Sequence, residues 1–224
     1  MKYYAVIVAG GSGNRMKAEV PKQFMPLLGR PILMHTIEAF FHSALRPEII
    51  LVLNPAHFQT WNELCNQHNF QLPVRLVPGG QERFHSVRNA LADIEAGSIV
   101  AVHDAVRPVV SAELIERCFR DAESKGAVIP TVESRDSLRQ RTTEGHSKAI
   151  RRDEIFIVQT PQVFRAEVLK KAYTEDYSTH FTDDASVVEH AGYNISLTQG
   201  DYKNIKITFP EDLQVASLFL KGLK

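Results

Sequence analysis

Residues 6–24, "VIVAGGSGNRMKAEVPKQF", set a short apolar run against a glycine-rich loop that carries Arg15, Lys17 and Lys22. Backbone without side chains can approach a ligand closely, and free N–H groups beside cations suit phosphate. Two familiar phosphate motifs do not fit. A P-loop needs GxxxxGK[ST], and no glycine spacing here ends in Lys-Ser or Lys-Thr. A dinucleotide fingerprint needs GxGxxG; Gly11 and Gly13 match its first two positions, but Met16 stands at the third, where glycine permits close helix packing. What remains is a strand, then GGxGxRM, then Pro21 and Lys22.

Working outward, short β-branched runs recur at "EIILVLN", "VRLVP", "SIVAVH" and "GAVIPTV". Helix-length segments separate them at Pro31 to His42, Pro55 to His68, Glu82 to Glu95 and Ser111 to Lys125. Pro31 suits a first helical position, and Ser111 with Leu114, Ile115 and Cys118 gives a capped amphipathic pattern. Continuous apolar strands alternating with helices indicate an α/β fold, a mostly parallel sheet covered on both faces. Ligands of such sheets sit beyond the carboxyl ends of the strands. Those ends here are "GGSGNR", "GGQER" and "HDAVRP", so three loops with phosphate-compatible or charged residues are expected to gather on one edge. The alternation breaks at residues 133–155, which are polar and charged with a turn-like "TEGH". They read either as a solvated loop or as a two-stranded arm, since so long a structureless connection is unusual.

Composition bounds the function. The 224 residues are 44% hydrophobic and 23% charged, enough for one substantial core and one domain, residues 1–224, with 133–155 as an appendage. Lys plus Arg and Asp plus Glu number 26 each, which argues against a general nucleic-acid or membrane surface and makes any cationic site local. Cys65 and Cys118 lack metal spacing and read as buried thiols of a reducing compartment. The apolar run after Met1 ends at Ala9, too short for a signal peptide core, and nothing approaches the roughly 20 residues of a membrane span. A cytoplasmic location is expected.

Six blocks in order, "VPKQFMPLLGRPILMHTIEAF", "GGQERFHSVRNAL", "VHDAVRP", "IVQTPQVF", "FTDDAS" and "NIKITFPEDL", resemble the 2-C-methyl-D-erythritol 4-phosphate cytidylyltransferase family from Ala5 to Leu218. The resemblance implies a Rossmann-like α/β domain with a protruding β-arm that interlocks two subunits of a homodimer. It implies a reaction of CTP with methylerythritol phosphate, a phosphorylated small polyol, to give CDP-methylerythritol and pyrophosphate, with Mg2+ bound alongside CTP. The attacking phosphate monoester is largely dianionic near neutrality, with a second pKa of about 6, so no protein base is required. Catalysis should come from positioning and preorganised positive charge.

Residue by residue, Arg15 and Lys22 match the family's stabilisers of the CTP phosphates, and Arg152 and Lys206 match residues that place the acceptor phosphate. Registration from "TPQ" selects Arg152 over Arg151, and Lys206 lies in a strand-like run, Ile205 to Ile207, where an outward-facing lysine is also ordinary. On the nucleotide side, Ala9, Gly10, Gly11 and Gly13 match main chain that meets base, ribose and phosphate, while Gly79 and Gly80 let backbone approach the cytosine. Ser86 resembles a hydroxyl contact to the nucleotide, against a plain reading as a first-turn serine with local hydrogen bonds. Asp104, Arg107, Ser137 and Thr160 match substrate-binding positions, although Asp104 and Arg107 are also spaced to pair with each other. Thr182, Asp183 and Asp184 read first as a helix cap with acidic first-turn residues, and no metal ligand is assigned. Ser137 stands where the family often has threonine, and Phe209 where a polar residue is common. The alternatives are a cytidylyltransferase for ribitol 5-phosphate, which shares several blocks, and a silent nucleotide-binding module. "GGQERFHSV" favours the isoprenoid enzyme over the first, and the presence of all four cations counts against the second.

Overall fold

The computed structural model describes residues 1–9, 20–143 and 145–222. β1 (Tyr3–Val8) is followed by a 3-10 turn (Lys22–Phe24), a small hairpin of β2 (Pro26–Leu27) and β3 (Arg30–Pro31), and α1 (Ile32–Phe41). Next come β4 (Glu48–Leu53), a 3-10 turn (Pro55–His57) running into α2 (Phe58–Gln67), β5 (Val74–Pro78), α3 (Arg83–Leu91), β6 (Ile99–Asp104) and α4 (Ala112–Lys125). β7 (Ala127–Glu133) precedes β8 (Leu138–Arg141), β9 (Ser147–Ile150), a 3-10 turn (Arg152–Glu154), β10 (Phe156–Val158) and β11 (Gln162–Arg165). The chain ends through α5 (Ala166–Ala172), α6 (Asp184–His190), β12 (Ser196–Gln199) and α7 (Pro210–Lys221).

Eight strands make one sheet in the order β10-β7-β11-β6-β1-β4-β5, with β12 on the other edge of β7. The β1 pairings to β4 and β6, and those of β4 to β5 and β7 to β12, are parallel; β11 runs antiparallel to both β6 and β7. Strand side chains alternate between two cores. Ala5, Ile7, Leu51 and Ala101 face α1, α2 and α4, whereas Tyr4, Val6, Ile50 and Val102 face α3, α5 and α6. Each fully buried aliphatic side chain contributes about 1.5–3 kcal/mol of transfer free energy, so helices on both faces hold the sheet. A smaller cluster under α7 joins Leu27, Ile32, Val106, Val109, Ile207 and Ala216. No described helix is long and apolar enough to cross a membrane.

Register fixes the site. Val8 pairs with Val52 and Asp104, and Leu53 pairs with Pro78, so Ala9, Gly79 and Asp104 leave the sheet along one edge. Because β11 is reversed and Gln162 pairs with Val102, Thr160 enters the sheet at that same edge. The polar segment forms the two-stranded option: β8 and β9 pair from Leu138↔Ile150 to Arg141↔Ser147 in a sheet of their own. Gly145 takes φ +78° in its turn, and the Thr142 N–H donates to the His146 carbonyl at 2.9 Å.

Three local expectations shift. Pro31 precedes α1 as its N-cap instead of opening it. α3 stops at Leu91, short of Glu95. Ile205 to Ile207 is no strand: only the Ile207 N–H reaches a neighbouring segment, donating to the Val106 carbonyl at 2.9 Å, while the Ile207 side chain packs in the cluster under α7. Ser111 does cap α4, its hydroxyl accepting the Leu114 N–H at 3.2 Å.

Candidate active site

Gly10, Gly11, Gly13 and Arg15 lie outside the described residues. Lys22 is half-buried at the start of its 3-10 turn, whose next two residues, Gln23 and Phe24, are buried. Gln23 Nε2 donates to the Ala9 carbonyl at 3.0 Å, tying the lysine turn to the end of β1. The Ala9 N–H donates to the Val52 carbonyl at 2.8 Å.

At the end of β5, the Gly79 N–H donates to the Leu53 carbonyl at 2.9 Å and the Gly80 N–H to Ser86 Oγ at 3.0 Å. Ser86 is 2% exposed, so its hydroxyl closes the loop locally. A Cβ on Gly80 would stand 2.4 Å from His85 Cβ, so this glycine is demanded by the chain's own packing. On Gly79 the nearest atom would be Ser86 Oγ at 3.4 Å.

The densest constellation surrounds Asp104. Its Oδ2 lies 2.9 Å from Lys206 Nζ and 3.3 Å from Arg107 Nε, and its Oδ1 lies 4.0 Å from Arg83 Nε. Burial works against the Asp104 charge, but Arg83, Lys206 and Arg107 overcome it and hold the carboxyl well below the usual range. Arg107 Nη1 donates to the Asn204 carbonyl at 2.9 Å, which joins the "HDAVRP" turn to the Lys206 segment. Burial lowers the Arg107 pKa, opposed by Asp104. Thr160 is buried beside them, its hydroxyl oxygen accepting the Asp104 N–H at 3.1 Å and its carbonyl accepting Asn204 Nδ2 at 2.8 Å. Asp104, Arg107, Thr160 and Lys206 are thus brought together.

Sequence reading missed Arg83, His103 and Asn204, although all three lie in the quoted blocks. Arg83 opens α3 and donates Nη2 to the fully buried Asp184 at 2.6 Å, which also receives the Tyr173 hydroxyl at 2.6 Å. Burial opposes the Arg83 charge, but Asp184 and then Asp104 raise its pKa above the ordinary arginine value. Asp183 caps α6 as expected, accepting the Ser186 N–H at 2.9 Å. Asp184, by contrast, is an ion-pair partner one hundred and one residues from Arg83, which adjacency in sequence does not reveal.

Arg152 and Ser137 stay with the exposed arm. Arg152 Nη1 donates to the Arg135 carbonyl at 3.3 Å, while Arg151 is paired with Asp153 at 2.6 Å and Glu154 at 3.1 Å. Arg152 makes no salt bridge among the described residues. Chemically, the described part of this edge gathers cations, while the Cys118 thiol, away from it in the core under α4, is pushed up to about 12 by burial. Such an arrangement suits polyphosphate chemistry that runs on charge and placement.

The family model described as 2-C-methyl-D-erythritol 4-phosphate cytidylyltransferase, IspD, matches residues 3–222. A protein of that name from Bacteroides thetaiotaomicron is 48% identical over 220 residues, covering 98% of this chain and all (100%) of the relative. Another from Porphyromonas gingivalis is 49% identical over 220 residues, covering 98% of each. Among solved structures, the 2-C-methyl-D-erythritol 4-phosphate cytidylyltransferase of Francisella tularensis superposes with a TM-score of 0.82 at 32% identity, covering 98% of this chain and 100% of that one. The Thermus thermophilus structure of the same name gives a TM-score of 0.80 at 29% identity, covering 99% and 100%. With the sheet, its cationic edge and a match along nearly the whole chain in agreement, the chain belongs to the 2-C-methyl-D-erythritol 4-phosphate cytidylyltransferase family.

Proposed function

We propose that the chain joins CTP to 2-C-methyl-D-erythritol 4-phosphate, releasing pyrophosphate. A phosphate oxygen of the acceptor attacks the α-phosphorus of CTP in line. The new P–O bond forms as the bond to the β-phosphate oxygen breaks, and that electron pair leaves with pyrophosphate. The observation that carries this reading is the set of cations around Asp104 at the carboxyl edge, with Lys206 Nζ at 2.9 Å and Arg107 Nε at 3.3 Å.

In this reading Lys22, with Arg15 and the backbone of Ala9, Gly10, Gly11 and Gly13, takes the nucleotide phosphates, while the Gly79–Gly80 loop shaped by Ser86 borders the base. Asp104 holds Lys206 and Arg107 toward the acceptor phosphate, and Thr160 anchors the Asp104 main chain. Preorganised charge then meets the growing negative charge on the leaving group. A magnesium ion would arrive with the triphosphate and neutralise part of its charge. Among the described residues, no group of three His, Cys, Asp or Glu side chains is placed to hold a metal ion.

A homodimer through residues 133–155 completes the proposal, with Arg152 and Ser137 of one copy serving the acceptor side of the other. Supporting it, the run Ile155–Phe156–Ile157–Val158 beside the arm is apolar and exposed, with Ile157 at 50%. Exposed apolar strands of this kind call for a partner surface. The reading keeps residues 1–224 as one nucleotidyltransferase domain working in the cytoplasm, with no nucleic acid or membrane involved. The relatives reported above bear the methylerythritol name, which favours that acceptor over ribitol 5-phosphate. The test supplies CTP, magnesium and each phosphorylated polyol separately and measures pyrophosphate release. Faster turnover of ribitol 5-phosphate overturns the acceptor assignment.

A further inference from the structure

His103 sits on β6 immediately before Asp104, fully buried and packed edge to face on Phe40 with ring centroids 4.9 Å apart. Its Nε2 lies 3.1 Å from the Arg107 carbonyl oxygen and its Nδ1 lies 3.0 Å from Thr160 Oγ1. A carbonyl oxygen only accepts, so Nε2 carries the hydrogen. Burial pushes the ring's pKa down to about 4 against the opposing hydrogen bond to the Arg107 carbonyl and the Asp104 charge, with the Arg107 and Lys206 charges adding to the fall, so the ring is neutral and Nδ1 is bare. Every direction in the chain then follows. The Thr160 hydroxyl donates to His103 Nδ1, and the Thr160 oxygen accepts the Asp104 N–H at 3.1 Å.

We propose that His103 is a positioning residue which, as the Nε2–H tautomer, takes up the hydroxyl hydrogen of Thr160 and so fixes the turn that presents Asp104. Thr160 therefore has no hydrogen to give to a phosphate. Its remaining lone pair accepts, and any bond it makes to the acceptor comes from one of the polyol's hydroxyl groups. The phosphate is left to cations, Lys206 and Arg107 here with Arg152 from the second copy, and Thr160 reads the alcohol portion. This rests on the placement of the acceptor at this edge under the proposed reaction, but the tautomer itself does not.

The first test is nitrogen NMR of ring-labelled histidine in the intact protein at neutral pH, with and without 2-C-methyl-D-erythritol 4-phosphate. A protonated Nε2 and a bare, hydrogen-bonded Nδ1 are expected in both. A protonated Nδ1 in the free protein, or loss of its hydrogen bond when the substrate is added, overturns the proposal whether or not turnover is seen. The second test compares Thr160→Val with Thr160→Ser. Removing a buried hydrogen-bonding hydroxyl should lower kcat about tenfold or more, with KM for CTP held within about twofold. Serine, which keeps the hydroxyl, should recover most of that loss. A folded valine variant with the kcat of the parent, or a serine variant as slow as valine, also overturns it.

Discussion

Replacing Asp104 with asparagine removes one charge while keeping the side chain's shape. The carboxylate is 13% exposed and faces Lys206 at 2.9 Å, Arg107 at 3.3 Å and Arg83 at 4.0 Å. At an effective dielectric constant near 20, a unit pair at such separations attracts by roughly 4–6 kcal/mol. Desolvation offsets most of that, and Lys206, 45% exposed, is further screened by solvent. The variant's larger problem is three cations facing one another, of which Arg83 alone has a second carboxylate, Asp184 at 2.6 Å, among the described residues. Breaking a buried pair by removing one partner costs about 3–5 kcal/mol, and the partial exposure of Lys206 points to the lower end, about 3 kcal/mol. The sign with pH follows from linkage. An unfolded aspartate titrates at about 3.9, whereas folded Asp104 is held well below that. As pH falls through the ordinary carboxylate range, the unfolded chain binds a proton that the folded chain refuses, so the parent protein loses this stability and the variant does not. Urea unfolding followed by the fluorescence of Trp61, 3% exposed and the sole tryptophan, measures both proteins. A difference below about 1 kcal/mol at neutral pH, or one that stays undiminished in acid, refutes the claim that charge holds this site together.

Lys22→Ala should cut turnover on the order of a hundredfold, equivalent to about 3 kcal/mol, with unfolding unchanged; normal turnover in the folded variant would show that the lysine does not face developing charge. Lys22→Ala and Arg152→Ala chains, each strongly impaired alone, should regain up to half the parent activity per mixed dimer when co-expressed. Verified mixed dimers as impaired as either variant alone would place Arg152 outside a shared site. Gly80→Ala should lower stability by about 1–3 kcal/mol because its Cβ meets His85 Cβ at 2.4 Å, whereas Gly79→Ala, with 3.4 Å to Ser86 Oγ, should stay within about 1 kcal/mol. Equal thermal unfolding shifts for the two glycine variants would refute that contrast.

The sheet was legible because its strands are apolar runs broken by helix-length segments, and the site's edge was legible because ligand loops follow strand ends. For residues 133–155, polarity and the length of the connection left a solvated loop and a two-stranded arm both open, and the β8–β9 pairing is what decides between them. Lys206 misled: Ile205 and Ile207 imitate strand alternation, yet one backbone bond to Val106 and the cluster under α7 shape that segment instead. The glycine at 80 reads in sequence as room for a ligand, and its missing side chain also makes room for His85, five residues on, a packing demand that carries no sequence signal. Arg83 and Asp184 could not be joined from sequence, since a charge pair between the first residues of two distant helices has no periodic signature. His103 carries no local mark of its role either, because its two partners are a backbone carbonyl and a hydroxyl fifty-seven residues away.

The return of β10 onto β7 bears on how such a protein can change over time. β7 leaves the sheet at Glu133 and the chain re-enters at Phe156, which pairs with Glu133 itself. Everything between departs from and returns to one locality, so its length and composition can be rewritten without altering the order of the eight strands. The part proposed to meet the acceptor and a second copy is therefore an exchangeable cassette set into a separate frame, and acceptor preference and subunit pairing can drift together without disturbing the nucleotide side.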